Sequence, residues 1–301
     1  MDWETWLRAA AQRPSDNETQ KRDRTEQEIR DALSAYDSLR GRPYRVYAKG
    51  SYANNTNVRL NFDVDIAVEY GGYFYSDLAF ELQGQDKSVV GVVSSDDPYT
   101  TDEFKADILG ALRQAFGKTA VAEGNIAYRV RESKTTLPAD VVPSWEYRRY
   151  DRIANGQPVF HRGSRVFPRN GSWKNNFPAL QLHNGRQKTS DTGRRYKRIV
   201  RALKKLQTKL VNEGLLRKEL PSYLVECIVY NVPNDYFNHP TYLSDMREAL
   251  AYIFNNTLAA GNWNDWHEVH ELHYLFRGGS WTREEVHHLA DVAWDHLGFE
   301  D

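Results

Sequence analysis

Asn61-Phe62-Asp63-Val64-Asp65-Ile66-Ala67-Val68-Glu69-Tyr70 is the stretch on which the fold turns. Successive side chains of a strand point to opposite faces. Phe62, Val64, Ile66 and Val68 therefore form one apolar face, and Asp63, Asp65, Ala67 and Glu69 form the other. Asp63 and Asp65 then stand side by side. Repulsion and lost hydration make that pairing costly on a half-buried strand. Divalent cations resolve the conflict, because Mg²⁺ takes carboxylate and phosphate oxygens in an octahedral shell. Two such ions about 4 Å apart activate an attacking hydroxyl and stabilise a leaving pyrophosphate. An isolated Asp-x-Asp is also what a solvated strand face carries, so the motif needs support from elsewhere in the chain.

Working outward, residues 16–38 are expected to be helical, with Ile29, Leu33 and Tyr36 on one side of a charged surface. Tyr44–Ala48 is a short strand candidate that ends at Lys49-Gly50-Ser51. A helix is expected over Asp102–Phe116, and strands over Ala127–Arg131 and Thr135–Val142. Gly, Pro and Asn become frequent from Asn155 to Asn184, which reads as a long irregular connection. Strands with an interposed helix indicate an α/β unit.

The second half reads as helical. From Arg195 to Leu210, Ile199, Leu203, Leu206 and Leu210 share one side of a helical wheel. Lys197, Arg198, Arg201, Lys204 and Lys205 occupy the opposite arc. Pro221 is placed to open the next helix. Further helices are expected from about Tyr242, Asn264 and Trp281, the last with Thr282 and Glu285 spaced as a capping box. The expected fold class is α+β: an α/β core with an N-terminal helix over residues 1–160, then a mainly helical domain over 161–301, with a nucleotide cleft between them.

Composition narrows the classes of function. The 301 residues carry a net charge of −1 and a mean hydropathy of −0.72. No stretch approaches the ~20 apolar residues of a membrane span. Met1–Gln12 places acids and tryptophans where a signal peptide needs a basic end and an apolar run, so a cytoplasmic location is expected. Cys227 is the only cysteine, which excludes an intrachain disulfide and a Cys-rich zinc module. Charge is uneven. Between Tyr147 and Lys209, 17 Lys or Arg stand against two acids, a local excess of +15 that leaves −16 for the rest. Such asymmetry points to a polyanionic ligand, the alternative being a solvated basic loop and helix.

Two further elements support the aspartates. Gly50-Ser51 lies just upstream, where glycine lets the backbone approach a phosphate and the hydroxyl and amides donate to its oxygens. Asp140, in Leu137-Pro138-Ala139-Asp140-Val141-Val142-Pro143, is a single acid in a short apolar strand. A strand beside the first would bring it to the same site, as a third metal ligand that helps deprotonate an incoming hydroxyl.

Gly-Ser, Asp-x-Asp and a distant strand Asp resemble the signature of the polymerase-β-like nucleotidyltransferases. More closely, the chain resembles the cGAS/DncV-like nucleotidyltransferases, which make cyclic oligonucleotide signals in bacterial antiphage defence and animal innate immunity. The resemblance rests on Lys49-Gly50-Ser51-Tyr52-Ala53-Asn54-Asn55-Thr56, Phe62-Asp63-Val64-Asp65-Ile66 and Ala139-Asp140-Val141-Val142-Pro143. It rests also on Arg201-Ala202-Leu203-Lys204-Lys205-Leu206 followed by Pro221-Ser222-Tyr223-Leu224-Val225-Glu226. These motifs span residues 49 to 232 and leave the C-terminal 70 or so uncovered. In that family a lysine reaches triphosphate oxygens, and a Ser-Tyr step contacts sugar or base. The resemblance therefore implicates Lys204, with Lys205 as its rival, and Ser222 and Tyr223. Core packing is the alternative role for Tyr223.

The resemblance implies a polymerase-β-like core, nucleoside triphosphate substrates and two Mg²⁺ ions held by Asp63, Asp65 and Asp140, with Mn²⁺ as a substitute. It implies Gly50, Ser51 and Lys204 on the donor triphosphate, and a cyclic di- or trinucleotide product with pyrophosphate release. A regulatory protein and a downstream effector of the cyclic nucleotide are the implied partners. The animal DNA sensor of the family has a Cys/His zinc insertion and a strongly basic balance. This chain has neither, so the bacterial branch fits and activation by long nucleic acid is not expected. Two other functions compete: transfer to an RNA, protein or small-molecule acceptor, and a non-catalytic nucleotide-binding module. Outside the motifs, His267, His270 and His273 with Glu268 and Glu271 look like a metal cluster. On the helix expected there, the histidines spread over about 120°, which argues against zinc. Cys227 is expected to be a buried core residue, and Trp3, Trp6, Trp281 and Trp294 packing anchors.

Overall fold

A computed structural model describes residues 1–13, 15–58 and 63–299. Asn61 and Phe62 of the decisive strand lie outside the described residues. The chain packs into two compact units. One comprises Ser15–Lys49 and Phe62–Ala179, the other Met1–Pro14, Gly50–Asn61 and Leu180–Asp301. Where the sequence suggested one boundary at 160, the units interleave, and the strand Gln157–Val166 runs through that position.

Helix α1 (Trp3–Ala10) belongs to the second unit. The first unit is a mixed sheet with two long helices, α2 (Asp16–Ser34) and α4 (Thr101–Phe116), separated in sequence by the single turn α3 (Gly50–Ala53) of the other unit. Both long helices start on capping boxes, Ser15 with Glu18 and Thr100 with Glu103. The strands are β1 (Tyr44–Ala48), β2 (Val64–Leu78), β3 (Val121–Glu123), β4 (Tyr128–Val130), β5 (Ala139–Ala154), β6 (Gln157–Val166) and β7 (Lys174–Asn176). Their order is β1-β2-β5-β4-β3, with β6 paired to β5 and β7 to β6. β2 and β5 are parallel, which requires a long crossover, and the connection between them contains α4. Ile29 and Leu33 of α2 and Phe104, Ile108 and Leu112 of α4 are buried, as are Val64, Ile66 and Val68 of β2. Each contributes about 1.5–3 kcal/mol over an exposed position.

β2 departs from clean alternation: Ala67 and Glu69, on the acidic face, are buried too. A strand in the middle of a sheet is covered on both sides, so from Val64 to Tyr70 Asp65 is the one half-open position, and the strand opens again from Gly71.

The irregular connection expected over Asn155–Asn184 instead holds β6, β7 and the start of α5 (Pro178–Asp191). The cause is local. Asn155 and Gly156 take φ of 51° and 73°, the two left-handed residues of a tight hairpin turn that continues β5 directly into β6. The Asn-Gly pair was the signal for it.

The second unit continues with α6 (Tyr196–Asn212), α7 (Ser222–Tyr230), α8 (Tyr242–Asn256) and α9 (Arg283–Leu297). Ile199, Leu203, Leu206 and Leu210 of α6 pack in one core with Leu224 and Ile228 of α7, Met246 and Leu250 of α8, and Leu289 of α9. Thr282 caps α9 as expected, and Cys227 is buried in this core. The helix expected from Asn264 does not form. Asn262–Asp265 is a single 3₁₀ turn, followed by a loop in which His267 bridges Tyr274. The basic arc of α6 is not a solvated face either, since Lys197, Arg201 and Lys204 are 7%, 2% and 2% exposed. Among the described residues no helix is long and apolar enough to cross a membrane.

Candidate active site

In the sheet unit, the parallel register sets Asp65 directly opposite Asp140, with Val64 opposite Ala139 and Ile66 opposite Val141. Asp63 precedes β2 and is exposed; Asp65 and Asp140 are half-buried. Among the described residues, no side-chain hydrogen bond or ion pair reaches the carboxylates of Asp63 or Asp65, while exposed Arg129 lies 3.5 Å from Asp140. Burial pushes Asp65 up to about 6, with Asp140 and Asp63 adding to the rise and Lys49 opposing it. Asp140 is also raised by burial, with Arg129 and Lys49 pulling it back. Lys49 follows β1, and its amide donates to the Asp65 carbonyl at 2.9 Å. Burial lowers its ammonium, and the fields of Asp65, Asp140 and Glu69 oppose the loss. Lys49 stood inside the quoted motif without a role. Its signal was its place at the end of a strand antiparallel to β2, with Ala48 facing Ile66.

Glu69 shows what a satisfied acid on the same face looks like. It is 1% exposed, accepts from Arg45 at 2.6 and 2.9 Å, and accepts from the Tyr47 hydroxyl at 2.7 Å. Asp63 and Asp65 lack such partners, and Asp140 has only the exposed Arg129. They offer carboxylate oxygens at a half-open strand end, which is the donor chemistry that Mg²⁺ prefers. Their oxygens do not all lie within 4.8 Å of one another, the spacing expected of like charges that nothing draws together.

In the helical unit, Gly50 opens α3 with φ of 66°, a left-handed conformation that suits glycine. The turn after it is tied down at Thr56. Its amide donates to the Ser51 carbonyl at 2.9 Å, its carbonyl accepts from Lys204 Nζ at 3.0 Å, and its hydroxyl donates to Glu226 Oε2 at 2.7 Å. Gln181 Nε2 donates to the other Glu226 oxygen at 3.1 Å. The structure thus joins Gly50, Ser51 and Lys204 through Thr56, and Lys204 acts there as a buried strut. Thr56 and Glu226 are the last residues of two quoted motifs, the only hint of a partnership across 170 positions. Ser222 starts α7 and is exposed; Tyr223 is half-buried, with its ring edge-on to Trp281 at 6.0 Å. Burial pushes the Tyr223 phenol well above its ordinary value, helped by Glu268.

The histidine cluster needs a new argument, because its residues lie on a loop. Among the described residues, Glu268, His270 and His273 form the group whose candidate ligand atoms lie within 4.8 Å of one another. The Leu272 amide donates to His270 Nδ1 at 3.1 Å, so neutral His270 carries its proton on Nε2, 3.0 Å from Glu268 Oε2. That nitrogen is the one a metal would need. Burial works to raise Glu268, yet hydrogen bonds from His270 and His273 hold it down to about 2. The trio is satisfied as an internal acid–imidazole network.

Comparison with known proteins supplies the remaining facts. Residues 183–298 match the cGAS/DncV-like nucleotidyltransferase C-terminal helical domain. The cyclic dipyrimidine nucleotide synthase CdnE of Cecembia lonarensis is 36% identical over 289 residues, covering 95% of each chain. The enzyme of the same description from Legionella pneumophila is 34% identical over 300 residues, covering 99% of this chain and 98% of its own. The solved structure of the Rhodothermus marinus CdnE c-UMP-AMP synthase with Apcpp and Upnpp superimposes with a TM-score of 0.83 at 27% identity, covering 99% of this chain and 98% of that one.

Proposed function

This chain belongs to the cGAS/DncV-like nucleotidyltransferases, and from that premise we propose that it joins nucleoside triphosphates into a cyclic dinucleotide. The observation that carries the reading is the register of Asp65 against Asp140 with Asp63 adjacent, three acids of which only Asp140 has an ion-pair partner, the exposed Arg129. Asp63, Asp65 and Asp140 would hold Mg²⁺, which would supply a lowered pKa at the attacking hydroxyl and charge neutralisation on the leaving pyrophosphate. Asp140 sits beside that hydroxyl and takes its proton. The hydroxyl oxygen forms a bond to the α-phosphorus as the bond to pyrophosphate breaks. A second transfer closes the ring.

Gly50 and Ser51 hold the donor triphosphate, and Lys204 fixes the segment that follows them through the Thr56 carbonyl. Ser222 and Tyr223 contact the sugar and base. Relatives that make different cyclic nucleotides resemble this chain over nearly its whole length, so base choice rests on few contacts. A role in antiphage signalling, with a regulatory protein and an effector of the product, follows the family.

The test incubates purified protein with labelled ATP, GTP, CTP and UTP and Mg²⁺ or Mn²⁺, then treats with phosphatase. A resistant dinucleotide, absent with EDTA and with Asp63→Ala/Asp65→Ala, is the expected result. Resistant product from the double variant would overturn the metal-site assignment, and a label transferred only to added RNA or protein would overturn cyclisation.

A further inference from the structure

Five of the 17 Lys and Arg of the basic segment, together with Arg13, line one small cavity of about 170 Å³ in the helical unit. Six cations line it: Arg13, Arg186, Arg194, Lys197, Arg198 and Arg201. Asn55 and Thr189 complete the wall, and no carboxylate does. Among the described residues none of the six makes an ion pair. Arg201 donates to the backbone carbonyls of Ala11, at 2.8 Å, and Asn55; Arg198 donates to the Tyr242 hydroxyl at 2.8 Å. These partners are neutral, so they satisfy hydrogen bonds and leave the charges uncompensated.

Lys197 and Arg201, one turn apart on α6, are the buried members. Burial lowers Lys197 to about 8 and Arg201 to about 10. Arg13 pushes both in the same direction, with Arg186 acting also on Lys197 and Arg198 on Arg201. Glu226 opposes the shift at Lys197, but it is already engaged by Thr56 and Gln181. Lys197 runs alongside Gly185 of α5, where a Cβ would meet the lysine Cε in ordinary contact at 3.6 Å. Converging cations inside a cavity lose hydration and repel one another, a cost that an anion offsets. Size selects the anion. Drug-sized ligands occupy pockets of roughly 300–1,000 Å³, so this one suits a compact group.

We propose that this pocket is a binding site for a compact oligophosphate, built by α5, α6 and Arg13 without any of the three aspartates or the residues assigned to the nucleotide. The phosphates could belong to a free oligophosphate, of which pyrophosphate from the enzyme's own reaction is the simplest, or to the tail of a nucleotide. The chemistry recognised is the same, several clustered anionic oxygens met by guanidinium groups.

The test is calorimetric titration of the full-length protein with inorganic tripolyphosphate in EDTA, repeated with ATP, at low and high salt. Arg186 and Arg194 are exposed, so Arg186→Gln/Arg194→Gln should fold normally. Binding to the wild type that weakens with salt, and that falls about tenfold for each arginine removed, is the expected result. Lys197→Met provides a second readout: it should abolish binding while raising the melting temperature of the ligand-free protein, which a merely structural lysine would lower. Equal affinity for tripolyphosphate and ATP identifies phosphate alone as the ligand, and tighter ATP binding identifies a nucleotide; both support the pocket. Unchanged affinity in the double variant, no binding at all, or a preference for duplex nucleic acid that depends on the same arginines would overturn it.

Discussion

At the end of β2 three aspartates gather with Lys49 near two of them and one exposed arginine at the edge, whereas around α6 six cations gather with no carboxylate. Three other acids are met by protein. Glu69 has Arg45 and Tyr47, Glu226 has Thr56 and Gln181, and Glu268 has its histidines. The difference separates charges that hold the fold from charges that await something outside it. Uncompensated charge is expensive in a folded protein, which is the common ground of the two proposals: cations for the aspartates, phosphates for the pocket.

The comparison breaks most visibly at the aspartates. Asp63→Ala/Asp65→Ala should cost on the order of 10³-fold in product formation, and its melting temperature should hold or rise, since repulsion is removed. A thermal melt beside the labelled-nucleotide assay checks both. A large drop in stability would move these acids into the structural class.

Glu69→Gln should do the reverse. Breaking its pairing with Arg45 and Tyr47 is expected to cost about 3 kcal/mol of stability, read as a lower denaturation midpoint in urea. Glu268→Gln should cost about 2 kcal/mol at pH 7. A carboxyl held at about 2 instead of 4.5 stabilises the fold above its unfolded value, and that stability is lost as pH falls toward 2. The gap between wild type and variant should therefore narrow as pH is lowered below 4.5 in paired urea titrations. Smallest is Arg186→Gln/Arg194→Gln, expected within about 0.5 kcal/mol of wild type without ligand, because neither arginine is matched by protein.

Residues whose meaning depends on local pattern were legible in the sequence. The period of two placed Asp63 and Asp65 on one face, the apolar frame around Asp140 marked a strand, and Thr282 with Glu285 located the start of α9. Residues whose meaning depends on what covers them were not. The wheel put Lys197, Arg201 and Lys204 on a polar arc, but a wheel cannot show that backbone carbonyls and neighbouring helices bury that arc. His267–His273 was expected on a helix, and no local residue pattern marks the turn the chain makes there, with Glu271 at φ of 63°. The β5–β6 hairpin was legible from Asn155-Gly156, but the Gly, Pro and Asn around it outweighed that pair. Glu226 read as one more acid on a helix, because nothing local names Thr56 as its partner.

The anchoring of Thr56 has a consequence for the life of the chain before it is complete. Its two tethers, Lys204 and Glu226, follow it by 148 and 170 positions. Contacts so distant in sequence form late, and a polypeptide grows from its N-terminus. While a ribosome is still making the first two hundred residues, Gly50 and Ser51 already exist, but the turn that follows them has neither of its distant tethers. A nascent or prematurely terminated chain ending before α6 therefore lacks both Lys204 and Glu226. If Gly50 and Ser51 hold the donor triphosphate as proposed, such a fragment is expected to be born silent.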